Sequence, residues 1–474
     1  MDSKQVTLRP GMHIHLVGIG GAGLSAIAAV LLHRGYRVSG SDMEMNKMIP
    51  DLQLAGATIY QGHDAAHIAG CDLVVISSAI PANNPEVLAA GRANIPVLKR
   101  AEFLGPLTTD YLTIAVAGTH GKTTTTAMIA HILLEAGFDP SLIVGGVVPA
   151  LGGNSRVGQG DLFVIEADEY DYMFLGLRPQ VAVINNIDHD HPDMFPTAES
   201  YRDAFRQFAR LLPAGGRLVV CADDPGVTKL LHETDFPGLT VITYSLGGKP
   251  GRGAATHFAA VDLRSNQLGG HDFVVLENGR TIGLARLRVP GSHNVSNALA
   301  AISVATEFGV SFGPICQALA SFGGAGRRFQ LMGESGGVTV IDDYAHHPTE
   351  IRVNLAAARQ RYPGRRLWAV WQPHTYSRTK LLLNEFARSF DEADRVIALD
   401  IYRSRERDTL GVSTQDVISQ MNHPYVRHVG QREEAAAYIL DRVRPGDVIL
   451  TLGAGDGNMV GQWILDGLRE RQNN

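Results

Sequence analysis

The chain has 474 residues, enough for two to four domains at roughly 100–200 residues each, with three the natural number. Hydrophobic residues make up 45% and charged residues 19%, which excludes a disordered polymer, and three cysteines without CxxC spacing (Cys71, Cys221, Cys316) exclude a disulfide framework and a Cys-rich zinc site. A formal charge of -6 argues against a general nucleic-acid binder. The first residues lack the order of a signal peptide, and apolar runs such as 26–32 are too short to cross a bilayer. The expectation is a cytoplasmic enzyme, monomer or homodimer, with no nucleic-acid or membrane partner.

In chain order, strands are predicted at 12–17, 37–41 and 73–77 with a helix at 23–34, a βαβ rhythm that implies a parallel sheet. Between the first strand and its helix lies Gly18-Ile19-Gly20-Gly21-Ala22-Gly23. Glycines there let backbone N–H groups approach a diphosphate at the helix N-terminus, and Asp42, closing the next strand, stands where a ribose-binding acid would sit. The motif alone leaves NAD and a UDP-sugar equally open.

A second start follows, with a strand at 111–117 and a helix at 123–137 that Gly137 would stop. The loop between them, Gly118-Thr119-His120-Gly121-Lys122-Thr123-Thr124, is a short phosphate loop. Its N–H groups would cradle phosphates, Lys122 would bridge β and γ oxygens, and the Thr123 hydroxyl could ligate Mg²⁺. Buried strands at 162–166 and 181–185 each run into polar clusters, Glu166-Ala167-Asp168-Glu169 and Asn185-Asn186-Ile187-Asp188-His189-Asp190-His191. Strand ends converge at one edge of a parallel sheet, so both clusters could face the phosphate loop and supply oxygen ligands to Mg²⁺. Two phosphate sites in succession favour an ATP-driven enzyme on a nucleotide-linked substrate. A dehydrogenase would leave the second loop unexplained.

Antiparallel strands are expected within 247–283, with a hairpin at Glu277-Asn278-Gly279, then a helix at 294–307. A third α/β unit has strands at 338–341, 367–371, 396–399 and 448–452, and helices at 348–360, 381–390 and 433–443. The expected division is 1–107, 108–325 and 326–474. The fold class is α/β: an N-terminal Rossmann-like parallel sheet, a central P-loop ATPase domain with extra antiparallel strands, and a C-terminal Rossmann-like domain.

Eight motifs in order resemble the Mur ligase family: GIGGAGLSAIA, AGTHGKTTTT, EADEYD, NNIDHDHPDMF, GSHNVSNALAA, FGGAGRRFQ, DDYAHHPTE and QPHTYSRT. The resemblance implies a UDP-substrate domain, a central ATPase domain and a C-terminal domain that brings the amino acid. It implies an ATP- and Mg²⁺-dependent ligase that joins L-alanine to the lactyl carboxylate of UDP-N-acetylmuramate through an acyl phosphate. The alternative is a ligase that attaches a whole murein tripeptide to the same sugar. Carried over by residue, the resemblance assigns UDP-substrate binding to Gly18, Gly20, Gly21, Gly23, Ser25 and Asp42. It assigns ATP binding to Gly118, Thr119, His120, Gly121, Lys122, Thr123, Thr124, Asn154, Asn294, Asn297, Arg328 (with Arg327 as the other candidate) and Asp343. Thr123 and Glu166 match one Mg²⁺ site and His191 a second; Lys122, Arg328 and His191 carry catalysis; Tyr344, His346 and Arg378 form the amino-acid end. Phe205 and Arg206 stand where relatives adding later residues carry a bridging lysine, and Thr375 replaces an arginine of some alanine-adding enzymes, leaving the carboxylate clamp to Arg378. Gly323, Gly324 and Gly326 are the expected hinge.

Overall fold

The computed structural model describes residues 6–46 and 48–473. Three sheets follow one another along the chain. In the first, the strand His13–Val17 lies between Arg37–Asp42 and Leu73–Ile76, and all five strands run parallel. Ile14, Leu16, Val17, Leu73, Val74 and Val75 are buried, the near-continuous apolar pattern of strands covered on both faces. The helix Ala22–His33 covers one face.

The second sheet has ten strands, with Leu112–Ala117 between Leu162–Glu166 and Val181–Ile184. Its far end is the expected antiparallel flange, Thr256–Ser265, His271–Glu277 and Arg280–Arg286. Asn278 (φ 48) and Gly279 (φ 79) make the hairpin turn, both in the left-handed region such a turn requires. At the other edge, Ser141–Val148 and Gly153–Arg156 form a hairpin that glycines concealed in the sequence. The helix Lys122–Glu135 leaves the central strand and stops before Gly137 (φ 84), as expected.

The third sheet has six strands; Gln330–Ser335 is antiparallel and the rest are parallel. One helix departs from expectation. Where one helix is expected over 381–390, the chain forms two short helices, Tyr376–Leu381 and Leu383–Ala387, that meet at Leu382. The break turns Phe386 and Phe390 onto Trp371, with ring centroids 5.1 and 5.2 Å away, and burial of three aromatic rings outweighs one continuous helix. No helix among the described residues is long and apolar enough to cross a membrane.

Candidate functional site

The glycine-rich turn after the first strand is held closed by its own neighbours. Gly18 and Ile19 donate to the Ser41 carbonyl, Gly20 N–H donates to Asp42 Oδ2 (2.8 Å), and Asn46 Nδ2 donates to Gly20 O (2.8 Å). Gly21 N–H donates to Gly18 O, and Ser25 is buried with its hydroxyl on Ala22 O. Arg100 lies across Gly23, where a Cβ would come within 1.9 Å of the guanidinium. Beneath the turn, fully buried Glu86 accepts from Ser41 Oγ (2.7 Å), His67 Nδ1 (2.8 Å) and His63 Nδ1 (3.1 Å), with His15 Nε2 at 3.5 Å. Burial alone would raise this carboxyl, yet hydrogen bonds from His15, Ser41 and His67 hold it down at about 2.

In the phosphate loop, Gly118 (φ 139) and Gly121 (φ 76) adopt backbone conformations that favour glycine. A Cβ on Gly121 would also lie 2.5 Å from Asn297 Oδ1. The segment after Val181–Ile184 braces the loop from below: His120 N–H donates to Asn186 Oδ1 (2.7 Å), Asn185 Nδ2 to Thr125 Oγ1 (3.0 Å) and Thr119 Oγ1 to Asp188 O (2.9 Å). Lys122 Nζ donates to Gly118 O (2.6 Å) and to the Glu169 carboxylate (2.9 Å). Burial works against the ammonium charge, but Glu169 more than offsets it and raises the Lys122 pKa. Glu169, also bonded by Tyr201 Oη (3.0 Å), is held at about 2 against its burial by Lys122 and His191. Thr124 is buried in the first turn of the helix.

Thr123 Oγ1 lies 3.2 Å from Glu166 Oε1, while the other Glu166 oxygen accepts from Gly145 N–H (2.6 Å). Burial raises the Glu166 pKa, so this carboxyl gains from a nearby cation. His191 is apart from that pair: its Nε2 is 3.5 Å from Glu169 and 3.7 Å from Asp190. Asn294 and Asn297 are bonded to each other (3.0 Å) at the start of the helix Ser292–Glu307, with Asn297 beside Gly121. Asn154 is buried in the edge strand Gly153–Arg156 and makes no hydrogen bond to the phosphate loop among the described residues.

The third unit closes the other side. Both Arg327 and Arg328 lie over the Tyr344 ring, but Arg328 Nη2 is 3.4 Å from Thr123 Oγ1, whereas Arg327 is bound to Asp342 (2.8 Å) and to the carbonyls of Gly453 and Gly455. Of the two arginines, Arg328 therefore faces the loop. Asp343 has both oxygens engaged, by Phe329 N–H (2.6 Å), Ala345 N–H (2.8 Å) and Asn354 Nδ2 (2.9 Å), and burial lifts it to about 7. Tyr344, His346 and Arg378 do come together: His346 packs edge-on against Tyr344 (5.4 Å) and His374 (5.8 Å), and His374 Nδ1 is 3.1 Å from Arg378 Nη1. Burial lowers His346 to about 4 and His374 to about 2, so both rings are neutral at pH 7.

Family models match nearly the whole chain: "Mur ligase family, catalytic domain" at residues 13–111, "Mur ligase middle domain" at 116–305 and "Mur ligase, glutamate ligase domain" at 327–455. A UDP-N-acetylmuramate–L-alanine ligase of Roseiflexus sp. is 45% identical over 469 residues, covering 97% of this chain and 100% of that protein. The chain belongs to the Mur ligase family. A second relative of the same name, from Syntrophus aciditrophicus, is 43% identical over 98% of this Mur ligase and 95% of its own length. Among solved structures, a UDP-N-acetylmuramate–alanine ligase from Thermotoga maritima aligns with a TM-score of 0.80 at 29% identity, over 98% of this chain and 100% of that one. A murein peptide ligase from Psychrobacter arcticus gives 0.74 at 28% identity, over 97% and 99%.

Several polar groups of this Mur ligase site escaped the sequence reading. Glu169 and Asp190 sit in the acidic clusters but were not separable there from Asp168 and Asp188. Glu350, bonded to His346 N–H (2.9 Å) and 3.3 Å from His120 Nδ1, and Thr349, whose hydroxyl donates to Asp188 Oδ2 (2.8 Å), lie in the DDYAHHPTE motif and link the third unit to the phosphate loop. His120, Asp188 and His347 each bring one ligand atom within 4.8 Å of the others, although no zinc spacing marks them. Burial opposes charge on His120, but Asp188 and Glu350 raise it to about 9. Burial lowers His347 to about 4.

Proposed function

We propose that this Mur ligase joins L-alanine to the lactyl carboxylate of UDP-N-acetylmuramate in the cytoplasm, releasing ADP and phosphate. The observation that carries the reading is the junction itself. Thr123 of the phosphate loop is contacted by Arg328 of the third unit, and the same loop is braced by the segment that reaches Arg378 at the amino-acid end. The names of the relatives select alanine as the incoming group.

A carboxylate is a poor electrophile, and transfer of the ATP γ-phosphoryl to it supplies a leaving group. Lys122 and the loop N–H groups would hold the phosphates, and Arg328, 3.4 Å from Thr123 Oγ1, would bring a second positive charge to the transferring group. The residues fit a hard divalent cation: Thr123 Oγ1 and the buried Glu166 carboxyl form an oxygen pair 3.2 Å apart, and burial without a cation pushes the Glu166 pKa up. Mg²⁺ held there would neutralise phosphate charge; His191 is the proposed contact of a second ion. Asn294 and Asn297 are proposed for the adenine side and Asp343 for the ribose. The glycine turn with Ser25 and Asp42 is proposed for the UDP-sugar, and Asn154 for the phosphates. That assignment requires Asp42 to exchange its Gly20 contact for the ligand. Arg378 would take the alanine carboxylate, with Tyr344 and neutral His346 around the amine, which must lose a proton before it attacks.

Phosphate release tests this: ATP and Mg²⁺ with UDP-N-acetylmuramate and L-alanine, each omitted in turn. Release that requires all of them, and is lost in Lys122→Ala, is the expected result. Turnover with L-alanyl-γ-D-glutamyl-diaminopimelate but not alanine would identify the tripeptide ligase instead, and ATP binding without turnover would overturn both.

A further inference from the structure

Asp190 and Arg378 are 188 residues apart in sequence and each is 3% exposed, yet they form a side-on bidentate pair, Nε to Oδ1 at 2.7 Å and Nη2 to Oδ2 at 3.2 Å. Asp190 belongs to the segment that braces the phosphate loop; Arg378 belongs to the short helix Tyr376–Leu381 of the third unit. The Asp190 carboxyl lies far below the usual carboxylate range because Arg378 outweighs its burial. Buried ion pairs stabilise folds weakly, since desolvation consumes most of their attraction, but they fix geometry. Here the geometry is specific. Asp190 occupies the Nε edge of the guanidinium, and His374 O and Nδ1 fix Nη1 at 3.2 and 3.1 Å. The outer Nη1–Nη2 edge meets no carboxylate: its partners are His374 at Nη1 and His191 Nδ1 at Nη2 (3.5 Å), contacts that an incoming carboxylate would have to displace. A guanidinium has two edges suited to carboxylates, and one is already taken by the protein.

We infer that Asp190 is a positioning residue for amino-acid specificity: it pins Arg378 by one edge so that the other is presented to the α-carboxylate of the incoming amino acid. The inference rests on the ligase reading above and deepens it. It also accounts for a single arginine serving where Thr375 has replaced another. A rotating guanidinium would bind a carboxylate at an entropic disadvantage; one anchored by Asp190 does not.

The test is steady-state kinetics on the full-length protein with each substrate varied, for wild type, Asp190→Asn and Arg378→Lys, using L-alanine and L-alaninamide, which lacks the carboxylate. The expected result is a rise of about 10- to 100-fold in KM for L-alanine in Asp190→Asn, with KM for ATP and UDP-N-acetylmuramate within about twofold and kcat/KM for L-alaninamide unchanged. Arg378→Lys, which keeps the charge but lacks two edges, should raise KM for L-alanine by a larger factor than it lowers kcat/KM for L-alaninamide; it carries the test if Asp190→Asn does not fold, and Asp190→Glu should recover part of the alanine affinity. An unchanged KM for alanine, or equal losses for alanine and alaninamide, overturns the proposal. A wild-type protein that does not turn over alanine at all overturns the ligase reading beneath it, which is a distinguishable failure.

Discussion

The Lys122 ammonium and the Glu169 carboxylate are 2.9 Å apart, and the Glu169 side chain is 1% exposed. The lysine that would hold phosphate oxygens is thus held by a buried acid, with Tyr201 and His191 securing the acid in turn. Removing one partner of a buried pair leaves the other charged and unsolvated, at about 3–5 kcal/mol. Glu169→Gln should therefore lose stability by an amount of that order and lower kcat, because Lys122 is no longer aimed. Thermal unfolding and phosphate release measured on the same samples check both; an active variant with an unchanged melting temperature would contradict the pairing.

Arg328→Ala should raise KM for ATP by about tenfold or more while KM for UDP-N-acetylmuramate stays near wild type, since its contacts are Thr123, Tyr344 and, at 3.8 Å, Glu350. Arg327→Ala should act differently, lowering stability through the loss of its bonds to Asp342 and two carbonyls. Kinetics and melting curves of the two variants separate the roles.

The Glu86 cluster predicts an acid-sensitive first unit. A carboxyl near 4.5 in the unfolded chain and about 2 in the folded one gives stability that is fully present above about pH 4.5 and is lost as pH falls toward 2. Glu86→Gln should lose about 1–3 kcal/mol at pH 7 from imperfectly paired buried donors. It should also show a shallower fall in urea midpoint between pH 5 and 3 than wild type. Equal slopes would remove Glu86 from the explanation.

Gly176 is where the first and second units meet: a Cβ there would lie 1.8 Å from the Ala101 carbonyl, a backbone atom that cannot swing aside. Gly176→Ala should cost about 1–3 kcal/mol by overpacking and lower the melting temperature, with ATP affinity retained because the phosphate loop is not in contact. Differential scanning calorimetry with and without ATP measures both quantities.

Sequence reading reached the parts whose chemistry is local. The phosphate loop, the Asn278-Gly279 hairpin and the parallel strands each carry their signal within a few residues. It missed the hairpin around Gly145 and Gly146, because glycine reads as loop when edge pairing is invisible. Asp190 and Glu169 carry no signal that separates them from their neighbours, because short acidic runs offer several equivalent candidates. The choice is made by backbone turns that no residue type announces: Asp171, Tyr172 and His191 all have φ between 52 and 55. It expected Asp42 to wait for a ribose, whereas the folded chain already uses that carboxylate on Gly20. Contacts across units, such as Thr349 with Asp188, depend on how sheets pack and leave no trace in spacing.

The stretch from Asn185 to His191 touches the nucleotide loop with its first residues and, through Asp190, the amino-acid end with its last. On the proposed assignment, these seven residues would form one rail between two substrates that meet it at different points. A small molecule wedged against Asn186 would tilt both ends at once. Its inhibition would read as mixed against ATP and against the amino acid, and no single substrate, however concentrated, would displace it.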